Sequence, residues 1–234
     1  VARVAHADGR MGLLDRRGAP VGSQDYDHLE PFSEGLARSN MGGVRRNGTV
    51  RGGTWQLVDT AGAARFAPLA CDVLLNVEDG HASFLRDGKW GFIDATGRVI
   101  AEPQYPFLSV HSESLAVAAT QGGDVYLDHD GRVAIAGPFQ EATDFKGGMA
   151  KVKVDGRWGM IDRSGAFVHP PSYDKIGNLV DGAAWAVRDG RCSVLGPQGV
   201  LGSDFDDVKL AAEDGIWPVR RGDEWSLLRP DGRV

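Results

Sequence analysis

Nothing in these 234 residues approaches the run of about 18 apolar residues that a membrane-spanning helix needs. Cysteine is nearly absent. Only Cys71 and Cys192 occur, which excludes a disulfide framework and a cysteine-rich zinc motif, so two buried thiols and no disulfide are expected. Basic charge is also in deficit, with a net charge of -6, and that argues against general affinity for nucleic-acid backbones. The chain begins at Val1 with neither an initiator Met nor a signal-like apolar segment. It therefore reads as a trimmed or processed piece of a soluble protein, and leaves cytoplasm or periplasm open.

What is present is glycine, 33 residues of it, at regular intervals. The stretch DGKWGFIDATG at 87–97 returns as DGRWGMIDRSG at 155–165. Anchored on the Trp, a slot recurs at Met11, Trp55, Trp90, Val125, Trp158, Cys192 and Trp225, with spacings of 44, 35, 35, 33, 34 and 33. Three further series share the period. One is Gly18, Gly62, Gly97, Gly131, Gly165, Gly199 and Gly232; the second, mostly aromatic, is Tyr26, Cys71, Tyr105, Phe139, Tyr173 and Phe205. The third is a small residue before a short strand: Gly35, Gly80, Ser114, Gly148, Gly182 and Gly215. Four concordant series describe an internal repeat.

Residues 148–176 show the physics of one unit. GMAKVKV alternates Met149, Lys151 and Lys153 with Ala150, Val152 and Val154, the period of a half-buried strand. Asp155-Gly156 supplies a two-residue hairpin turn, and RWGMID returns antiparallel. RSG closes a second turn, AFV begins a third strand, and Pro170-Pro171 is expected to end it. Each unit thus reads as three short strands and a connector. The fold expected is all-β: seven three-stranded units of about 34 residues filling 1–234 as one domain. An open twisted solenoid is the first choice, because the units are shorter than the ~40–45 residues of a four-stranded propeller blade; a closed seven-bladed propeller is the alternative. Two departures stand out: an insertion at about 40–53, and a fourth copy, GGDVYLDHDG, whose second hairpin reads as one residue short.

The segments GKWGFID and GRWGMID, with GMAKV upstream and PPSYDKI downstream, resemble the WG-repeat family of bacterial β-rich repeats. The resemblance is tight in the third and fifth copies and loose in the first, fourth, sixth and seventh. It implies a binding or accessory module, and it brings no catalytic residues with it.

Most special residues have a structural role available. The Trp slot tolerates Met11, Val125 and Cys192, so core packing is expected there rather than a stacking platform. Asp15, Asp59, Asp94, Asp128 and Asp162 precede the closing glycines and are expected to cap their own turns. His6, His28, His81, His111, His129 and His169 fall in different slots without the local spacing of a zinc site; scattered turn or surface histidines, and neither metal nor cofactor, are expected. What remains are the insertion with Arg45, Arg46 and Arg51, the acidic run Asp204, Asp206, Asp207, Glu213 and Asp214, and two tryptophans outside the Trp slot, Trp185 and Trp217. These are the candidate contacts. The expected function is a non-catalytic scaffold that binds a partner protein, a basic one in view of the net charge, and in its sharper form an inhibitor or immunity protein for a bacterial toxin. A cell-wall or glycan-binding module, using Trp185 and Trp217, and an enzyme with a site built across repeats are the alternatives.

Overall fold

The computed structural model describes residues 1–180, 182–210 and 215–234. Among them there is no α-helix, and the strands form eight open sheets of two to four strands each. The chain divides into two compact units, Val1–Ala119 with Asp128–Arg132, and Thr120–Leu127 with Val133–Val234.

In the second unit the best-formed sheet runs in order through Glu141–Ala142, Met149–Val154, Arg157–Asp162 and Phe167–Tyr173. The next repeats the order with Lys175–Ile176, Ala184–Arg188, Arg191–Gly196 and Gly199–Phe205. In the first unit Val73–Leu74, His81–Arg86, Lys89–Asp94 and Val99–Tyr105 do the same. Full repeats are therefore four-stranded rather than three-stranded. The extra strand is the connector: Lys175 and Ile176 pair with Val187 and Ala186 of the following strand. Two residues are too few to show a period of two, so the sequence reads them as loop.

The hairpin turns form as their residues dictate. Asp155-Gly156 has φ of 49° and 77°, and Asp87-Gly88 has 51° and 74°, the paired positive values of the tight turn that matches strand twist. At the second turn each aspartate caps its own backbone. Asp94 Oδ1 accepts from the N–H groups of Thr96 at 2.8 Å and Arg98 at 3.1 Å; Asp162 Oδ1 does the same for Ser164 and Ala166. Asp15, Asp59 and Asp128 repeat the arrangement.

The prolines do not end the third strand. Phe167–Tyr173 continues through Pro170-Pro171, because Met160 pairs with His169 and Trp158 with Tyr173, leaving an irregularity where the prolines sit and need donate nothing. Pro103 occupies the same place in Val99–Tyr105. That bulge explains the glycine of the Trp-Gly pair. A Cβ on Gly159 would lie 2.7 Å from the His169 carbonyl oxygen, and one on Gly91 would lie 2.3 Å from that of Ala101. Glycine is there for the close approach of backbone.

Register also corrects the fourth copy. Asp124 stands opposite Phe139 as Trp90 stands opposite Tyr105 and Trp158 opposite Tyr173. Asp124, rather than Val125, therefore fills the Trp slot, 34 residues from each neighbour, and the second hairpin is of ordinary length. In the second copy Trp55 pairs with Leu69, so Cys71 is not its cross-strand partner.

The core lies two and three residues beyond the Trp slot. Phe92, Ile93, Met160 and Ile161 are completely buried, whereas Trp90 and Trp158 are half-buried and Trp225 is 48% exposed. Trp55 alone in the slot is a true core tryptophan, packed with Val50, Leu57 and Phe84. The expectation of core packing thus holds for Trp55 and moves to the apolar pair that follows in the third and fifth copies. Strand alternation places Trp158 beside Lys153, whose Nζ lies 5.5 Å from the ring centroid.

Candidate functional site

Three histidines from separated stretches meet in the first unit. His81 opens the strand His81–Arg86, His111 lies in a connector, and His129 follows the capping aspartate of a turn. Their rings are 4.5 Å apart from His81 to His111, 4.5 Å from His81 to His129, and 5.1 Å from His111 to His129, centroid to centroid. Each offers one ring nitrogen, and these nitrogens all lie within 4.8 Å of one another. The fully buried Phe92 ring stands edge-on to His81 and His111 and walls the cluster on one side.

Local structure fixes each ring. Asp79-Gly80 is a tight turn with φ of 51° and 75°, which brings His81 Nδ1 to 2.9 Å from the Asp79 carbonyl oxygen. The Asp79 carboxylate reaches across: Oδ2 accepts from the Ser114 N–H at 2.7 Å and lies 3.1 Å from His129 Nε2. Burial alone would raise the Asp79 carboxyl, but the bonds from Ser114 and His129 outweigh it and hold it below the usual carboxylate value. His111 Nε2 lies 3.5 Å from the Asp128 carbonyl oxygen, at the outer limit of a hydrogen bond. His111 is 4% exposed and, among the described residues, its Nδ1 has no hydrogen-bond partner. Burial, reinforced by the neighbouring His81, pushes this imidazole down to about 4, so it is neutral at pH 7.

The histidines are therefore not all scattered. His28 and His169 stand alone, but in strands rather than in turns or on the surface: His28 is half-buried with Nε2 3.2 Å from the Gly43 carbonyl oxygen, and His169 is buried with Nε2 2.7 Å from that of Gly196. The cluster left a signal in the sequence, visible only after alignment on the period. The slot of His111 is filled by Val77, Phe145 and Leu179 in other copies, all buried, and the slot of His81 by Leu115, Met149 and Ala183, all buried as well. Two imidazoles thus replace core apolar residues.

The insertion is ordered. Val44–Arg46 and Thr49–Arg51 form a two-stranded ribbon with Val44 opposite Arg51 and Arg45 opposite Val50. Val50, 3% exposed, roots it in the core beside Trp55. The Asn40 side chain closes its base, donating to the Gly52 carbonyl and accepting from the Gly43 N–H. Arg45 pairs with Glu30. Arg46 and Arg51 are exposed and, among the described residues, have no ion-pair partner.

The acidic run is already neutralised in part. Asp204 and Asp206 both pair with Arg191, and Asp207 pairs with Lys209 at 2.9 Å. Glu213 and Asp214 lie outside the described residues. Trp217 is 0% exposed and packs with Phe205, Val219 and Leu228, so it presents no face to a ligand. Trp185 is half-buried and lines a surface depression with Gly177, Lys209 and Leu210. The arginine ribbon lies in one unit, and Asp204, Asp206, Asp207, Trp185 and Trp217 lie in the other. Both thiols are free; Cys71 is buried, and burial pushes it up to about 12, whereas Cys192 is half-buried.

Antiparallel four-stranded sheets recurring about every 34 residues define an all-β repeat protein. The WG containing repeat family matches three consecutive stretches of the chain, 90–122, 126–158 and 158–192. No curated protein matches the chain. Among solved structures it is similar to Hsv2 of Kluyvelomyces marxianus, with 10% identity, 83% of this chain and 68% of that one covered, and a TM-score of 0.44. It is similar also to the Pan2 WD40 domain of Neurospora crassa, at 12% identity, 93% and 81% coverage and a TM-score of 0.36. A third similar structure is the extracellular domain of a hybrid two component system from B. thetaiotaomicron, at 9% identity, 97% and 40% coverage and a TM-score of 0.38. The chain spans less than half the length of that last structure. Among the described residues no helix is long and apolar enough to cross a membrane.

Proposed function

We propose that the chain is a non-catalytic binding module, and that it engages a partner protein through the ribbon at 44–51. The observation carrying this reading is that the insertion breaks the repeat, yet is rooted in the core by Val50 and presents Arg46 and Arg51 at the surface with no ion-pair partner among the described residues. A rigid ribbon loses little conformational entropy on binding, and arginine forks suit carboxylates. The partner face that fits is therefore acidic. A basic partner for the other end is not favoured, because Arg191 and Lys209 already hold Asp204, Asp206 and Asp207. An inhibitor or immunity protein is the sharper form of the proposal, and it rests on the net charge of -6 and the WG-repeat match. Four strands fit within a repeat of about 34 residues, so repeat length does not decide between an open solenoid and a closed seven-bladed propeller; a small-angle scattering profile does, elongated for the first and compact for the second.

Affinity capture from the native host, comparing wild type with R46E/R51E, tests the reading. A specific partner recovered by wild type and lost by the variant is expected; equal recovery by both would overturn it. One observation favours a second reading, a glycan-binding module: Trp185 lines an open depression and lies over Gly177, where a Cβ would be only 2.2 Å from its Nε1. Quenching of tryptophan fluorescence by cell-wall glycan fragments, abolished in W185A, distinguishes it.

A further inference from the structure

We propose that His81, His111 and His129 form a binding site for a divalent transition-metal ion, with zinc the best fit, and that Asp79 positions His129 within it.

The tautomers carry the argument. A carbonyl or carboxylate oxygen can only accept, so any ring nitrogen bonded to one bears the proton. His81 Nδ1 faces the Asp79 carbonyl, His129 Nε2 the Asp79 carboxylate, and His111 Nε2 the Asp128 carbonyl. Each neutral imidazole then has one lone-pair nitrogen left. Metal-bound histidines show this pattern: one nitrogen donates to a fixed oxygen, and the other is turned toward the ion. Carboxylate to histidine, as from Asp79 to His129, is one form of that support.

The cost of the arrangement argues the same way. His111 Nδ1 is a buried polar atom without a hydrogen-bond partner among the described residues, in a slot where three other copies place Val77, Phe145 and Leu179. Such an orphan costs stability unless something satisfies it. Zinc takes imidazole nitrogen at about 2.0–2.1 Å in tetrahedral array, which sets nitrogens about 3.3 Å apart. One nitrogen of each ring lies within 4.8 Å of the others, so the rings must close by about 1 Å, and His81 and His129, stacked at 25°, must also turn to aim their lone pairs at one ion. Three neutral nitrogens suit zinc, nickel or copper and suit calcium or magnesium poorly. Water would supply the fourth ligand.

Equilibrium dialysis of the full chain against micromolar Zn2+, followed by elemental analysis, tests the site. Wild type should retain one zinc per chain, and H81Q and H129Q should each lose it. H129Q should fold, because Ala95 and Arg163 hold the same turn slot in other copies. D79N should weaken binding about 10- to 100-fold, and H6Q should bind as wild type. Co2+ loaded in place of zinc should show tetrahedral visible absorption without a thiolate charge-transfer band. A wild type that retains no zinc, zinc retained equally by H81Q and H129Q, or a thiolate band tracing the metal to Cys71 or Cys192 would each overturn the proposal.

Discussion

Gly159 and Gly91 need no unusual backbone angle; they need room. An added methyl group at Gly159 would meet the His169 carbonyl at 2.7 Å and the Pro171 nitrogen at 2.8 Å, backbone atoms that cannot swing aside. We expect G159A to lose about 1–3 kcal/mol of stability, the usual range for overpacking, read from urea midpoints. The capping aspartates act through pH. The Ser164 hydroxyl and N–H hold the Asp162 carboxyl below its usual value, so its folded pKa is lower than its unfolded one. Its contribution is therefore fully present above about pH 4 and is lost as pH falls through the folded value. D162N should flatten the fall in urea midpoint between pH 5 and pH 2, and an unchanged acid limb would contradict the capping role.

At the scale of the strand, what could be read early was local. Asp-Gly turns, capping aspartates and the alternation of Met149–Val154 depend on neighbours in the chain, and they form as the residues require. The two-residue strands were illegible, because Lys175–Ile176 is defined only by the ladder it makes with Val187 and Ala186. The prolines depart from expectation for a related reason: Pro170 and Pro171 would break a regular ladder, but this strand already departs from one where they stand. Burial of tryptophan likewise followed strand phase more than residue type. Trp217 is buried and Trp225 half-exposed, so W217A should cost about 3–5 kcal/mol in urea unfolding. W225A should cost far less. Arg46 and Arg51 project from the ribbon, and R46A/R51A should leave stability within about 0.5 kcal/mol of wild type while partner capture fails.

Across the molecule, positions that keep the period build sheets, and positions that break it are where the proposed binding groups lie. The arginine ribbon breaks it by insertion, and its place was visible in the sequence as a 44-residue spacing. The histidine cluster breaks it by substitution. Its members stand far apart in the chain, so no local spacing marks them; their convergence depends on how successive repeats pack within the first unit. Slot-by-slot comparison at 34 residues was the available signal, since an imidazole where Val77, Phe145 and Leu179 sit is a polar group placed in a core. Returning that slot to its apolar type separates the two roles. The most direct measurement is thermal unfolding of wild type and H111V, each with and without zinc. We expect zinc to raise the wild-type midpoint, and H111V to melt at or above zinc-free wild type and to be unmoved by zinc. If zinc leaves the wild type unmoved or raises both proteins alike, or if H111V melts well below zinc-free wild type, His111 belongs to the packing and the histidine cluster is no metal site.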